Sequence, residues 1–201
     1  DTSLRARRAG AVVCRLPFNL GVGGAMRTGY RYALREGYDV VVQVDADGQH
    51  DASYIPVLVA GLADADVVVG ARFAGEGRYA AGGPRRWAMR LLATVLSKLA
   101  HQRLSDVTSG FRAVNRRGIR LFATHYPSEY LGDTVESLII AVRTGCRVTQ
   151  VPVSMRARST GQASQNTVHS VLYLARAMAA LGLALVRRWP TTLEVVPQER
   201  T

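Results

Sequence analysis

The stretch VVQVDADGQHD, residues 41–51, begins apolar and β-branched and ends in acids, an amide and an imidazole. That is how a buried strand looks as it emerges at its carboxyl end. Asp45 and Asp47 stand two apart, so on extended backbone both side chains point the same way. Carboxylates that close repel each other unless a cation offsets the charge. A hard divalent ion meets that need, and Mg²⁺ commonly takes one or two carboxylates plus substrate phosphates. Gln49 offers a further oxygen, and His50 suits Mn²⁺ better than Mg²⁺. Gly48 lets the chain turn tightly between them. The bland alternative stays open, since D-x-D is common and Asp51 can simply cap the next helix.

Outward from this stretch, short apolar runs alternate with helical patterns. AVVCRL (11–16), DVVVQV (39–44) and DVVVG (66–70) read as strands buried on both faces. GGAMRTGYRYALREG reads as a helix from near Gly24. Met26, Tyr30, Ala33 and Leu34 fall on one side of it, and Arg27, Arg31 and Arg35 on another. DASYIPVLVAGL makes a second helix with Pro56 in its first turns. Strand–helix–strand–helix–strand specifies an α/β domain with a mostly parallel sheet, which binds ligands at the carboxyl ends of its strands. FAGEGRYAAGGPRRW is a glycine-rich loop that runs into a helix from Pro84. There Trp87, Leu91, Val95 and Leu99 mark a buried stripe. A helix over Asp133–Thr144 and a strand in CRVTQVPV come next. The apolar tail 167–188 is broken by Arg176 and falls short of the roughly 20 apolar residues of a membrane span. It reads as an amphipathic helix, lying on a membrane or partner or packed on the domain itself.

With 201 residues, 48% of them hydrophobic, the chain has enough material for one domain with a real core. The net charge of +11 is almost all arginine. Arginine's planar fork suits phosphate, so nucleic acid, an anionic membrane and a phosphate-rich substrate all remain open as partners. Cys14 and Cys146 both sit among apolar neighbours and read as buried free thiols.

VVQVDADGQHD, DVVVGARF, SDVTSGFRAVNRR and VTQVPVSMRARSTGQAS, in that order and spacing, resemble the family 2 glycosyltransferases, and among them the dolichol- or polyprenyl-phosphate sugar synthases. NLGVGGAMRTGYRYAL fits their N-x-G-x-x-x-A pattern. The resemblance runs from about Asp1 to about Asn166. It implies a GT-A fold: a catalytic domain over 1–166, a C-terminal amphipathic helix over 167–188 and a tail over 189–201. It implies a nucleotide-diphosphate-sugar donor and Mg or Mn held by Asp45 and Asp47 with Gln49 beside them. It also implies a lipid-phosphate acceptor near Ser109, Arg112 and the basic loop with Arg156 and Arg158. By the same resemblance the protein works peripherally at the inner, cytoplasmic face of a membrane.

The start departs from the family pattern. Members open with a strand ending in a P-x-Y-N-E-type segment and a second ending in D-D-G-S, blocks that help hold the base and ribose. Here DTSLRARRAG resembles the family's segment just after D-D-G-S. The expectation is that two strands from the middle of the sheet are missing, which leaves unpaired edges and exposed apolar faces. They come either from a segment outside this sequence or from another chain, which leaves a homo-oligomer open.

The departing nucleoside diphosphate gains negative charge as its bond to the sugar breaks. A metal at Asp47 offsets that charge, and Asp45 shares the metal or fixes the ribose. A hydroxyl acceptor needs a general base, whereas a lipid phosphate, with a second pKa of about 6, is already ionised and needs cations and positioning. Arg112 is therefore a catalytic candidate with Asp45 and Asp47. Glu136, in DTVE, is either a base or half of a capping box with Asp133. Arg85 and Arg86, at a helix start, face acceptor phosphate or belong to an exposed lid. Gly21 and Gly23, opening the first helix, face donor phosphate or merely serve a tight turn. Two competing readings remain: a saccharide-hydroxyl acceptor on the same fold, and a non-enzymatic basic module for polyanions. The second gives no reason for acids at a strand end, and the chain lacks the aromatic-rich basic strands of RNA readers, so no nucleic-acid partner is expected.

Overall fold

The computed structural model describes residues 1–72, 84–127 and 133–156 together with Gly182, with backbone alone at 84–88 and 133. The glycine-rich loop, Arg158, the tail from 167 onward apart from Gly182, and the side chains of Arg85, Arg86, Trp87 and Asp133 lie outside the described residues.

Helices α1 (Thr2–Arg8) and α2 (Gly21–Arg35) come first, followed by strand β1 (Val40–Gln43), helix α3 (Ile55–Ala60) and strand β2 (Val67–Ala71). Helix α4 (Pro84–Ala100), strand β3 (Arg112–Asn115), helices α5 (Arg116–His125) and α6 (Asp133–Arg143), and strand β4 (Val148–Pro152) complete the order. The sheet runs β1-β3-β2-β4. β2 and β4 are parallel, while β3 lies antiparallel to both β1 and β2. Thus β1, β2 and β4 all end at one rim, and β3 begins there. Its first residue, Arg112, is opposite both Gln43 and Val69. This topology gathers sequence blocks that lie far apart in the chain.

The expected apolar strand at β2 is buried at every position. Its alternate residues feed two cores. Val67 and Val69 pack with Leu92, Leu96, Ile119, Phe122, Leu138 and Ile139 on the face carrying the long helices. Val68 packs with Leu58, Phe111, Ala113 and Val153 on the α3 face. Asn115 caps α5 by accepting the Gly118 N–H at 3.1 Å, the stop signal that turns β3 directly into a helix. Gly118 is needed there, because a Cβ would run into Val114 Cγ1.

Several expectations are corrected. Residues 11–16 form no strand, and Val12 is 71% exposed. Among the described residues no strand pairs with this run, so no ladder satisfies its backbone. Cys14 in that run is exposed, and only Cys146 is buried. Among the described side chains of α4 the fully buried positions are Leu92 and Leu96, one residue on from the expected stripe, with Leu91, Val95 and Leu99 half-buried.

β1 is less buried than its composition suggests. Among the described residues it pairs only with β3, and Val40 and Val44 are 37% and 44% exposed. Beside it a groove of about 400 Å³ runs between β1 and α2, lined by Met26, Tyr30, Tyr32, Tyr38 and Val41. Tyr30 Oη and Gln43 Oε1 are buried there without a hydrogen-bond partner. Among the described residues this edge of the sheet and the apolar side chains beside it are uncovered.

Candidate active site

Asp45 lies just past the last β1 ladder pair, with its side chain 52% exposed. The chain then turns through Gly48, whose φ of 76° suits a residue without a Cβ. Asp47 Oδ1 accepts the Gln49 N–H at 3.0 Å, an Asx turn that tightens the loop. Asp51 Oδ1 accepts the Ser53 N–H at 3.0 Å, so the capping role expected as the alternative reading of Asp51 is present. Asp51 also receives Arg156 Nε and Nη2 at 3.1 and 2.8 Å. These bonds hold its carboxyl below the ordinary carboxylate range, the Ser53 backbone bond contributing most.

His50 turns inward, with its side chain 5% exposed. Its Nδ1 accepts the Asp45 N–H at 2.9 Å, and its ring stacks on Phe111 at 4.8 Å with planes 13° apart. Burial lowers its pKa, against the pull of Asp45 and Asp47. With Nδ1 taken by a backbone N–H, the ring braces the acidic turn.

The SGFR block approaches from the β3 side. A Cβ on Gly110 would stand 3.2 Å from Gln43 Nε2 and 3.3 Å from Asp45 Oδ2, so glycine is what lets this turn press against the acid. Ser109 Oγ accepts the Phe111 N–H at 3.3 Å. Arg112 is 1% exposed. Its Nε donates to Ser109 O, its Nη1 to Ser137 Oγ and its Nη2 to Thr134 O, all at 2.8 Å. Neither Ser109 nor Arg112 therefore faces outward to an acceptor phosphate in this structure. A buried guanidinium must find acceptors, and these three tie the turn to the start of α6.

Arg72 and Asp106 received no role from the sequence, and the structure gives them one. Arg72, just beyond β2, donates through Nε and Nη2 to the two Asp106 oxygens at 2.7 and 3.1 Å, and through Nη2 to Thr108 Oγ1 at 2.8 Å. Burial alone would raise the Asp106 pKa, but the hydrogen bonds and charge of Arg72, with Thr108, hold it below the ordinary range. The signal in sequence was the pairing of GARF after one strand with SD before SGFR.

The other candidates are more scattered. Gly21 and Gly23 open α2, where Asn19 Oδ1 accepts the Gly21 N–H at 2.9 Å, and no described contact joins them to the acidic turn. Arg156 keeps 66% of its side chain exposed while paired to Asp51. Glu136 is half-buried in the first turn of α6.

The donor set fits a hard divalent cation. Asp45 and Asp47 both act electrostatically on the same imidazole, and Gln49 adds a carboxamide oxygen. Among the described residues no group of three or more His, Cys, Asp or Glu side chains could hold a metal alone. Phosphate and water oxygens would complete such a shell, as is common for Mg²⁺.

The sequence profile of "Glycosyl transferase family 2" matches residues 3–122. An undecaprenyl-phosphate mannosyltransferase of Micrococcus luteus is 33% identical over 153 residues, which is 73% of this chain and 61% of that protein. A polyprenol monophosphomannose synthase of Mycolicibacterium smegmatis is 33% identical over 151 residues, 70% of this chain and 54% of that protein. The chain thus spans less than two thirds of the length of either relative. Among solved structures, glucosyl-3-phosphoglycerate synthase of Mycobacterium tuberculosis in complex with UDP superposes with a TM-score of 0.66 at 19% identity, over 96% of this chain and 73% of that one. The same enzyme in complex with Mn²⁺ and UDP-glucose gives a TM-score of 0.63 at 22% identity, over 92% of this chain and 64% of that one. The GT-A-type sheet flanked by helices is therefore shared with these structures.

Proposed function

The chain belongs to glycosyl transferase family 2, and from that premise we propose that the full-length protein is a metal-dependent inverting transferase that moves a sugar from a nucleotide diphosphate to a polyprenyl phosphate. The observation that carries the reading is the rim itself. Asp45 stands just past the carboxyl end of β1, braced by His50 and pressed by Gly110, and Asp47 follows in the Asx turn that tightens the loop, where three strands end and the fourth begins. The names of the two polyprenyl-phosphate relatives support the lipid acceptor.

Asp45 and Asp47 would hold Mg or Mn with Gln49 beside them, and the ion would supply Lewis-acid charge against the departing diphosphate. Gly23 offers a backbone N–H to the donor at the start of α2, while the Gly21 N–H stays on Asn19 Oδ1. Ser109 and Arg112 act on the acceptor through the turn they shape. Arg156, Arg158 and Arg86 supply the cationic surface for the lipid phosphate. That phosphate is ionised near neutral pH, so the reaction calls for orientation and positive charge rather than a base. The protein works at the inner, cytoplasmic face of a membrane; no described helix is long and apolar enough to cross one.

The test uses the full-length protein, Mn²⁺ or Mg²⁺ and a panel of nucleotide sugars, with a short polyprenyl phosphate and the matching alcohol as acceptors. Transfer to the phosphate alone is expected. Transfer to the alcohol or to a saccharide hydroxyl would replace this acceptor by a base-assisted one and point to Glu136. No donor consumption, with Asp47→Ala leaving nucleotide binding unchanged, would end the proposal.

A further inference from the structure

We infer that His50 is a positioning residue: its imidazole, clamped between the acidic turn and Phe111, fixes the backbone of Asp45 and so sets where both aspartates present their oxygens. The inference rests on the proposed metal-dependent transfer and adds to it a part that belongs to this chain.

Asp45 is beyond the β1 ladder, so its N–H finds no strand partner and takes His50 Nδ1 at 2.9 Å instead. A ring nitrogen that accepts cannot carry the proton, so the neutral ring is protonated at Nε2. Nε2 lies 3.8 Å from Asp45 Oδ2. One ring therefore meets the same residue twice, at its backbone N–H and near its carboxylate. The ring is not free to turn away, because Phe111 covers its face. Phe111 is itself fully buried.

The far side of the turn is anchored separately. Arg156 N donates to Gln49 O at 3.0 Å, His50 and Met155 form an antiparallel bridge, and Arg156 pairs with Asp51. Those bonds hold residues 49–51. The imidazole carries that anchoring back to the Asp45 backbone. His50 is thus the strut between the anchored half of the turn and the half carrying Asp45. Residues that orient first ligands in this way typically change metal affinity by about 10–100-fold when lost.

The experiment measures Mn²⁺ binding to the full-length protein by EPR, with UDP or GDP present, beside transfer kinetics. His50→Phe keeps a flat ring on Phe111 but has no acceptor. His50→Asn carries an oxygen near the position of Nδ1. The inference expects about tenfold weaker Mn²⁺ binding in His50→Phe, largely recovered in His50→Asn. Equal affinity in wild type and His50→Phe would overturn it, and so would equal loss in both variants with unchanged melting. A ¹⁵N spectrum of the wild-type imidazole gives an answer independent of any variant: Nδ1 unprotonated supports the strut, and a proton on Nδ1 removes it. If wild type binds no Mn²⁺ with either nucleotide, the transferase proposal is what fails. If wild type binds and Asp47→Ala does not, while His50→Phe is unchanged, only the inference fails.

Discussion

Arg72→Ala should destabilise the protein by about 2–3 kcal/mol. The substitution removes two charge-assisted hydrogen bonds to Asp106, at 2.7 and 3.1 Å, and one to Thr108 Oγ1 at 2.8 Å. Hydrogen bonds to a charged group contribute about 1.5–3 kcal/mol each. Two considerations pull the sum down. The Arg72 side chain is 31% exposed, so solvent already weakens the pair. Asp106 also keeps the Arg72 N–H at 3.3 Å and the Thr108 N–H and hydroxyl at 3.2 and 3.0 Å. The loss therefore falls below the roughly 3–5 kcal/mol seen when one partner of a fully buried pair is removed. Urea unfolding of the full-length protein at pH 7 measures it, in a double-mutant cycle with Asp106→Asn. Arg72→Lys should recover little, because an ammonium cannot span both carboxylate oxygens. A loss under about 1 kcal/mol, with no coupling in the cycle, would refute the claim that this pair locks the turn leading to Gly110 and Phe111.

The same geometry sets three further outcomes. The lowered pKa of Asp106 means that its contribution is fully present above the unfolded value of about 3.9 and is lost as pH falls through the folded one; acid unfolding should show this limb in wild type and not in Asp106→Asn. Gly110→Ala should fold yet bind Mn²⁺ and nucleotide about tenfold more weakly, since its Cβ would crowd Asp45 Oδ2 from 3.3 Å; unchanged affinity in a titration would count against the close approach. Arg112→Met strips donors from Ser109 O, Thr134 O and Ser137 Oγ and should cost about 3 kcal/mol of stability along with activity. An unchanged melt with a raised KM for lipid phosphate would instead make Arg112 an acceptor ligand.

The strand that ends in acids was legible because its chemistry is local. An apolar run followed by D-A-D-G-Q-H marks a rim whatever lies around it, and Pro56 is likewise punctuation that the backbone obeys. The features that the sequence concealed depend on partners. AVVCRL has the composition of a strand and, among the described residues, no neighbour to pair with, so here it is a loop. Arg112 sits in a motif that looked poised for a ligand, but its reach is set by α6, about 22 residues on, whose carbonyl at Thr134 takes its Nη2. The Arg72–Asp106 pair joins positions 34 apart and His50–Phe111 stacks positions from separate blocks; only the antiparallel placement of β3 between β1 and β2 brings them together.

A crystal of the full-length protein soaked with Mn²⁺ and UDP or GDP, with anomalous scattering collected at the manganese edge, addresses the central claim most directly. The expected result is a peak in contact with oxygens of Asp45 and Asp47 and bridged to the diphosphate. A bound nucleotide whose phosphates sit elsewhere, with no peak at this rim and both carboxylates turned to backbone amides, would contradict the account.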